Sequence, residues 1–289
     1  MKKVFFTCQG QWEQSPTELL QRFSRQTPGG TGMWKSLQGT ASAKEADYFI
    51  VLEGEGGPPL PQEKTIYVKR EPNFIKPLDR HLNYKHTITH EAPFGAGITY
   101  WLNKTYDELT ALSCPVKEKA ASFIVSSKHS HRNHFVRNLF NKAANIDFFG
   151  RGWAPSKDNE SYYKGPLNYD GNCKFLGLIN YHYTIALENS QQKNYWTEKL
   201  ADAYLSWCVP IYWGCPNIED YFPSQSLRRV DIFSDNAAQA VRDAIKTPPT
   251  ATEINAVGAA RNALLNTYNI WEVVHRKIND IENGKSSNF

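Results

Sequence analysis

The sequence predicts an α/β protein made of two units, residues 1–115 and 116–289. Three observations lead there. Short apolar runs alternate with helical patterns almost throughout, which implies parallel strands joined by helices. The rhythm breaks over about 81–115 and resumes strongly at Ala121. A length of 289 residues suffices for two domains of ordinary size.

Val4–Cys8 reads as the first strand. Two lysines precede it, but its apolar run is shorter than a signal peptide requires and far below the about 20 residues of a membrane helix. Ser15-Pro16-Thr17-Glu18 combines a cap, a first-turn proline and a glutamate at capping-box spacing, so a helix starts there. Tyr48–Leu52 and Thr65–Val68 are buried strands, separated by the loop Glu53–Pro61 with its Gly-Gly-Pro-Pro core. The second strand runs into Lys69-Arg70-Glu71-Pro72, where the proline disfavours a helical Glu71 and leaves it extended at the strand's C-terminal edge. In the second unit, Ser122–Ser126, Ile146–Phe149, Tyr183–Leu187, Val209–Trp213 and Val230–Phe233 read as strands. His131–Ala144, Thr197–Trp207, Asn236–Ile245 and Thr252–Ile281 read as helices, and the last is long enough to pack back across both units.

Composition narrows the class. Hydrophobic residues at 40% and charged residues at 21% suit a folded globular chain. The net charge of +4 favours an anionic substrate without the dense basic stripe of a nucleic-acid binder, so no nucleic-acid partner is expected. Cys8, Cys114, Cys173, Cys208 and Cys215 are odd in number and contain no CxxC pair, which argues against a disulfide framework or zinc knuckle and fits a reducing compartment. Eight Trp, 15 Tyr and 15 Phe supply buried apolar contacts or sugar-stacking surfaces.

The chemistry concentrates at Ala186–Leu200. A buried strand ends at Leu187, a loop rich in donors and acceptors follows, and a helix begins near Thr197. Ligands of open α/β sheets sit at such carboxyl ends, and the free N–H groups and positive dipole of a helix start suit a diphosphate. Lys199 in the first turn opposes the dipole unless an anion lies beside it; a plain βα loop with a surface lysine is the alternative.

Several motifs follow in order: Glu188-Asn189-Ser190; Tyr195-x-Thr197-Glu198-Lys199-Leu200; Val209-Pro210-Ile211-Tyr212-Trp213-Gly214; Pro216-Asn217-Ile218; then Phe222-Pro223 and Val230-Asp231-Ile232-Phe233. Together they resemble the donor-site signature of the α1,3/4-fucosyltransferases, glycosyltransferase family 10, over roughly Ser122–Phe233. The resemblance implies a GT-B fold, two Rossmann-like domains facing one another across a cleft, with GDP-fucose held mainly by the second. It matches Lys199 to the lysine on the donor phosphates and Glu198 to the glutamate holding the ribose hydroxyls. Asn189 and Tyr195 match residues lining the nucleotide pocket, with Glu188 and Ser190 supporting them. Within Ser126–Phe135, Arg132-Asn133 resembles the family's "RN" at a helix start, so Arg132 is the second phosphate-binding cation. His129, His131 and His134 could ligate zinc but lack an obvious carboxylate or cysteine partner, and no Asp-x-Asp motif is present; no metal or other cofactor is expected.

Inverting transfer needs a base for the acceptor hydroxyl and positive charge opposite the leaving diphosphate. Glu71 is the candidate base, lying where the family has its "E-S-P" segment, here reduced to Glu71-Pro72-Asn73. Glu53, Glu55 and Glu91 compete with it, and an ion pair with Arg70 is the plain structural role for Glu71. The chain departs from the family at Trp207-Cys208, where a small residue, often glycine, usually precedes the "VPI" strand. The implied activity is transfer of fucose from GDP-fucose to a glycan hydroxyl, α1,3 in type, by a cytoplasmic enzyme without a transmembrane segment. The alternatives are a transferase of the same fold using another nucleotide sugar, and an inactive glycan- or nucleotide-binding module.

Overall fold

The computed structural model describes residues 1–8, 15–53, 59–71, 83–90, 102–127, 130–140, 145–153, 160–167 and 172–285. Its strands form two sheets. The first contains β1 (Lys2–Thr7), β2 (Met33–Trp34), β3 (Leu37–Gly39), β4 (Tyr48–Leu52), β5 (Thr65–Val68) and β6 (His86–Ile88), in the order β2-β3-β1-β4-β5-β6. Only the β2–β3 pair is antiparallel. The second sheet contains β7 (Lys119–Ile124), β8 (Ile146–Phe149), β9 (Tyr181–Leu187), β10 (Val209–Trp213) and β11 (Arg228–Arg229), all parallel, in the order β11-β10-β9-β7-β8. Its chain direction switches between β7 and β9, the place where doubly wound sheets open a crevice.

Eight helices accompany the sheets among the described residues: α1 (Pro16–Ser24), α2 (Tyr106–Ala111), α3 (Ser130–Phe140), α4 (Asn172–Ile179), α5 (Glu198–Leu205), α6 (Ala237–Ala244), α7 (Ala251–Asn266) and α8 (Ile270–Glu282). The capping box expected at Ser15 is present, with Glu18 N–H donating to Ser15 Oγ and Ser15 N–H donating to the Glu18 carboxylate. The strands β2, β3 and β6 and the helices α2 and α4 have no counterpart in the sequence reading. They are short, and β6 carries two half-buried polar residues, so no clear apolar period marks them.

Two boundaries differ from expectation. The strand expected at Val230–Phe233 ends instead near Val230, whose N–H still donates to Tyr212 C=O; beyond it the Asp231 side chain accepts the Phe233 N–H and turns the chain. The helical segment expected over Thr252–Ile281 is divided into two helices, because Asn269 caps a new start: its Oδ1 accepts Trp271 N–H at 2.9 Å while its amide donates to Gln26 C=O at 2.9 Å.

That second start sends α8 into the core of the first sheet. Trp271 is fully buried, packs edge-on to Phe6 at 5.1 Å and donates Nε1–H to Phe23 C=O at 2.8 Å. Glu272 accepts from Trp34 Nε1 and Lys35 Nζ, each at 2.8 Å. Ile270, Val273, Val274 and Ile278 join the same cluster as Val4, Phe6, Ile50 and Val68. The other sheet has its own larger core, including Phe123, Phe148, Tyr183, Tyr204 and Tyr212. Among the described residues no helix is long and apolar enough to cross a membrane.

Trp207, at the departure from the family pattern, has φ +60 just past the end of α5. This left-handed position at a helix end ordinarily selects glycine. Here the indole is held by Arg261, whose guanidinium lies 4.5 Å from the ring centroid, and by an Nε1–H bond to Leu112 C=O at 3.0 Å.

Candidate active site

The chemistry-bearing residues lie just beyond the carboxyl ends of both sheets. From the first sheet, β4 delivers Glu53, β5 delivers Arg70 and Glu71, and β6 delivers His90. From the second, β9 delivers Glu188 and the loop to α5, and β10 delivers Gly214. Arg132 enters on α3, across the β7–β9 switch point.

Glu188 is fully buried and organises the start of α5. Its carboxylate accepts Thr197 N–H at 2.8 Å and Thr197 Oγ–H at 2.6 Å. Thr197 in turn caps α5, its Oγ accepting Lys199 N–H at 3.3 Å. The positive end of α5, expected to receive a diphosphate, therefore already holds an internal carboxylate. The same carboxylate and that of Glu198 account for the cation in the first turn: Lys199 Nζ lies 3.9 Å from Glu188 Oε2 and 3.1 Å from Glu198 Oε1. Burial alone would depress the ammonium, yet the two carboxylates outweigh it and raise its pKa, so Lys199 stays charged. Burial likewise pushes Glu198 up, but Lys199 and Lys174 prevail and hold it below the usual glutamate range. Burial dominates at Glu188, which is raised.

Arg132 is 4% exposed. One terminal nitrogen donates to Leu187 C=O at 2.6 Å and Glu188 C=O at 3.1 Å, tying α3 to the end of β9. Its Nε and the Asn189 Oδ1 are buried without a hydrogen-bond partner among the described residues. Both atoms mark polar capacity that the fold itself does not use. Asn189 and Ser190 are half-buried at the start of the loop, and Tyr195 is buried farther along it. Pro216-Asn217-Ile218 clamps that loop: Asn217 Oδ1 accepts Asn194 N–H at 2.8 Å and its amide donates to Asn194 Oδ1 at 2.7 Å, with Asn194 in the left-handed region at φ +63. Gly214 is required where it stands, since a Cβ there would lie 2.4 Å from Glu188 Cγ and 2.6 Å from the Tyr212 hydroxyl.

The two sheet edges face each other here. Glu71 is half-buried, and its carboxyl is raised by burial first and by Glu53 next, with Glu198 adding and Lys199 and Arg70 opposing. Lys199 and Glu198 belong to α5, so Glu71 lies in the field of the second sheet's edge. His90 makes the contact direct: its Nε2 is 2.9 Å from Gln192 Nε2, and its ring meets Tyr195 edge-on at 5.5 Å. Glu53 is buried and accepts the backbone N–H groups of Arg70 and Glu71 through one oxygen. Glu71, Arg132, Glu188, Tyr195, Glu198 and Lys199 thus converge, while Glu55, Glu91, Pro72 and His129 lie outside the described residues. The exposed His134 pairs with Asn138 at 3.0 Å.

The sequence reading did not assign a role to His90, Gln192, Asn194 or Asn217. Asn194 and Gly214 carried a local signal, as residue types suited to a left-handed turn and a close approach. His90 and Gln192 are 102 residues apart, and no local pattern pairs them.

Comparison with known proteins agrees with this geometry. Residues 114–245 match the family model described as glycosyltransferase family 10 (fucosyltransferase) C-term. An alpha-(1,3)-fucosyltransferase of Helicobacter pylori is 32% identical over 123 residues, covering 43% of this chain and 23% of the relative. One of Caenorhabditis elegans is 26% identical over 207 residues, covering 67% of this chain and 46% of the relative. The matches therefore span less than half the length of these curated relatives. A crystal structure of an alpha1,3-fucosyltransferase with GDP superposes with a TM-score of 0.51 at 19% identity, covering 98% of this chain and 91% of that one, which shows a shared GT-B fold of two Rossmann-like units. By the family model and the relatives, residues 114–245 are similar to the C-terminal region of glycosyltransferase family 10, the fucosyltransferases, and the chain as a whole shares their fold.

Proposed function

We propose that the chain transfers fucose from GDP-fucose to a hydroxyl of a glycan acceptor, with inversion and with an α1,3-type linkage. One observation carries the reading: the Glu71 carboxyl, on the edge of the first sheet, lies in the field of Lys199 and Glu198 on the edge of the second. A proton acceptor thus faces an edge that carries the cations Lys199 and Arg132 alongside Glu188 and Glu198. In this reading Glu71 takes the acceptor's hydroxyl proton as that oxygen bonds to the anomeric carbon. The bond from that carbon to the diphosphate oxygen breaks with its electron pair, and Lys199 and Arg132 neutralise the charge that GDP gains. Glu198, held ionised, accepts hydrogen bonds from the ribose hydroxyls. Asn189 and Tyr195 line the nucleotide site, and Glu188 and Ser190 support it.

The division into an acceptor-side unit 1–115 and a donor-side unit 116–289 belongs to the same proposal. So does a cytoplasmic, reducing location, which Cys114, Cys208 and Cys215, free among the described residues, support. Calorimetry of GDP, UDP, GDP-fucose and GDP-mannose, without added metal, tests the donor assignment. Guanine-selective binding supports the proposal; preference for UDP, or no binding, overturns it. Glu71→Gln should keep GDP binding and lose most turnover, and intact turnover in that variant removes Glu71 from its role.

A further inference from the structure

We infer that Glu53 is a positioning residue for Glu71, holding the Arg70–Glu71 backbone by its side chain and setting the charge that Glu71 faces. The inference rests on the reading of Glu71 as base and adds a second carboxylate with a different task.

Glu53 stands directly after β4, is 3% exposed, and adopts φ +48, a left-handed conformation that a residue with a Cβ takes only when its surroundings impose it. Its own N–H continues the sheet by donating to Val68 C=O at 3.2 Å. That turn aims the carboxylate at the end of the neighbouring strand, where one oxygen accepts both Arg70 N–H and Glu71 N–H. The two donors are 17 and 18 residues away in sequence, so the carboxylate joins the ends of β4 and β5. An oxygen engaged by two amides in a buried site is badly placed to receive a proton from an acceptor sugar. Glu71, half-buried, has the access that Glu53 lacks. Among the described residues, four charged groups face Glu71: Glu53, Arg70 from its own segment, and Glu198 and Lys199 from α5. Glu53 is the largest of these influences and acts to keep a proton on Glu71, the division of labour by which paired carboxylates acquire separate roles.

The test titrates Glu71 directly, by carboxyl NMR of glutamate-labelled protein, with Glu71→Gln identifying its resonance. Glu53→Gln keeps an oxygen for both amides but removes the charge. It should lower the Glu71 midpoint, leave the GDP dissociation constant within about twofold, and slow GDP release from GDP-fucose with water as acceptor by about 10- to 100-fold. Glu53→Asp keeps the charge and shortens the reach, so it should slow release while the midpoint stays high. An unmoved midpoint and rate in Glu53→Gln overturn the inference while leaving Glu71 as base. Loss of the acid limb of the pH–rate profile in Glu53→Gln, with Glu71→Gln active, makes Glu53 the base and overturns both. A midpoint that moves as expected in a protein that releases no GDP keeps the positioning role and removes the proposed function.

Discussion

Replacing Lys199 with alanine separates its two sets of partners. In the free protein the ammonium bridges Glu198 at 3.1 Å and Glu188 at 3.9 Å, with its side chain 26% exposed. A charge-assisted hydrogen bond to a diphosphate contributes about 1.5–3 kcal/mol. Partial loss of the contact with Glu198, which is 40% exposed, offsets about 0.2–1 kcal/mol of that. The net effect of Lys199→Ala is about 0.5–2.8 kcal/mol, which weakens GDP binding by about 2- to 110-fold. Calorimetry at fixed ionic strength reads it, and Lys199→Arg should recover part of the loss, since it restores the charge with a different geometry. GDP affinity within about twofold of wild type in Lys199→Ala would refute the reasoning, because the internal carboxylates would then be the lysine's whole purpose.

Three further outcomes follow from the same geometry. Glu188→Ala leaves the half-buried Thr197 N–H and hydroxyl without their carboxylate partner, at up to about 1–3 kcal/mol each, so urea unfolding should show a loss of about 2–6 kcal/mol; a loss below about 1 would contradict the capping role. Asp202, 1% exposed, is raised to about 6 by burial that outweighs Lys174. An acid raised on folding keeps its proton longer in the folded state, so its contribution is complete below its ordinary pKa near 3.8 and falls as pH climbs to about 6. Asp202→Asn should lack that fall, gaining on the order of 3 kcal/mol over wild type across this window, and parallel stability curves would rule it out. His90→Ala removes the contacts with Gln192 and Tyr195, together about 1–3 kcal/mol, and amide exchange in residues 189–196 should quicken by about 5- to 150-fold; unchanged exchange would mean the contact does not hold the loop.

The legible part of the fold was the part fixed by local pattern. Val209–Trp213 and Tyr48–Leu52 are buried throughout, and continuous apolar runs mark such parallel strands. By contrast, β6 at His86–Ile88 is a strand because β5 pairs with it, and its own residues give little sign of that. Asn269 broke a helical pattern that looked continuous because buried apolar residues recur at helical spacing on both sides of it, Val257, Ala260 and Leu264 before and Ile270, Val274 and Ile278 after. At the site, Lys199 stood out because strand, loop and helix start follow one another in sequence, whereas Glu198 was matched only through the resemblance. Glu53 was weighed only as a rival to Glu71, since its hold on the Arg70 and Glu71 amides arises from strand pairing between β4 and β5. His90 was missed for the same reason at longer range.

The burial of Trp271 among Phe6, Phe23 and their neighbours bears on synthesis as well as on stability. A nascent chain leaves the ribosome from its N-terminus, and domains generally fold as they emerge. The first sheet cannot close its core in that order: its described strands end at Ile88, but the indole that packs against Phe6 and bonds to Phe23 is residue 271. The second sheet, whose strands run from Lys119 to Arg229, also waits for late residues, since Val257, Ala260, Leu264 and Leu265 of α7 join its core. The half of the protein made first therefore waits for the end of synthesis to be finished. In the interval the apolar face that α8 will cover stands open, making the N-terminal strands the segment most in need of a chaperone or of rapid completion of translation.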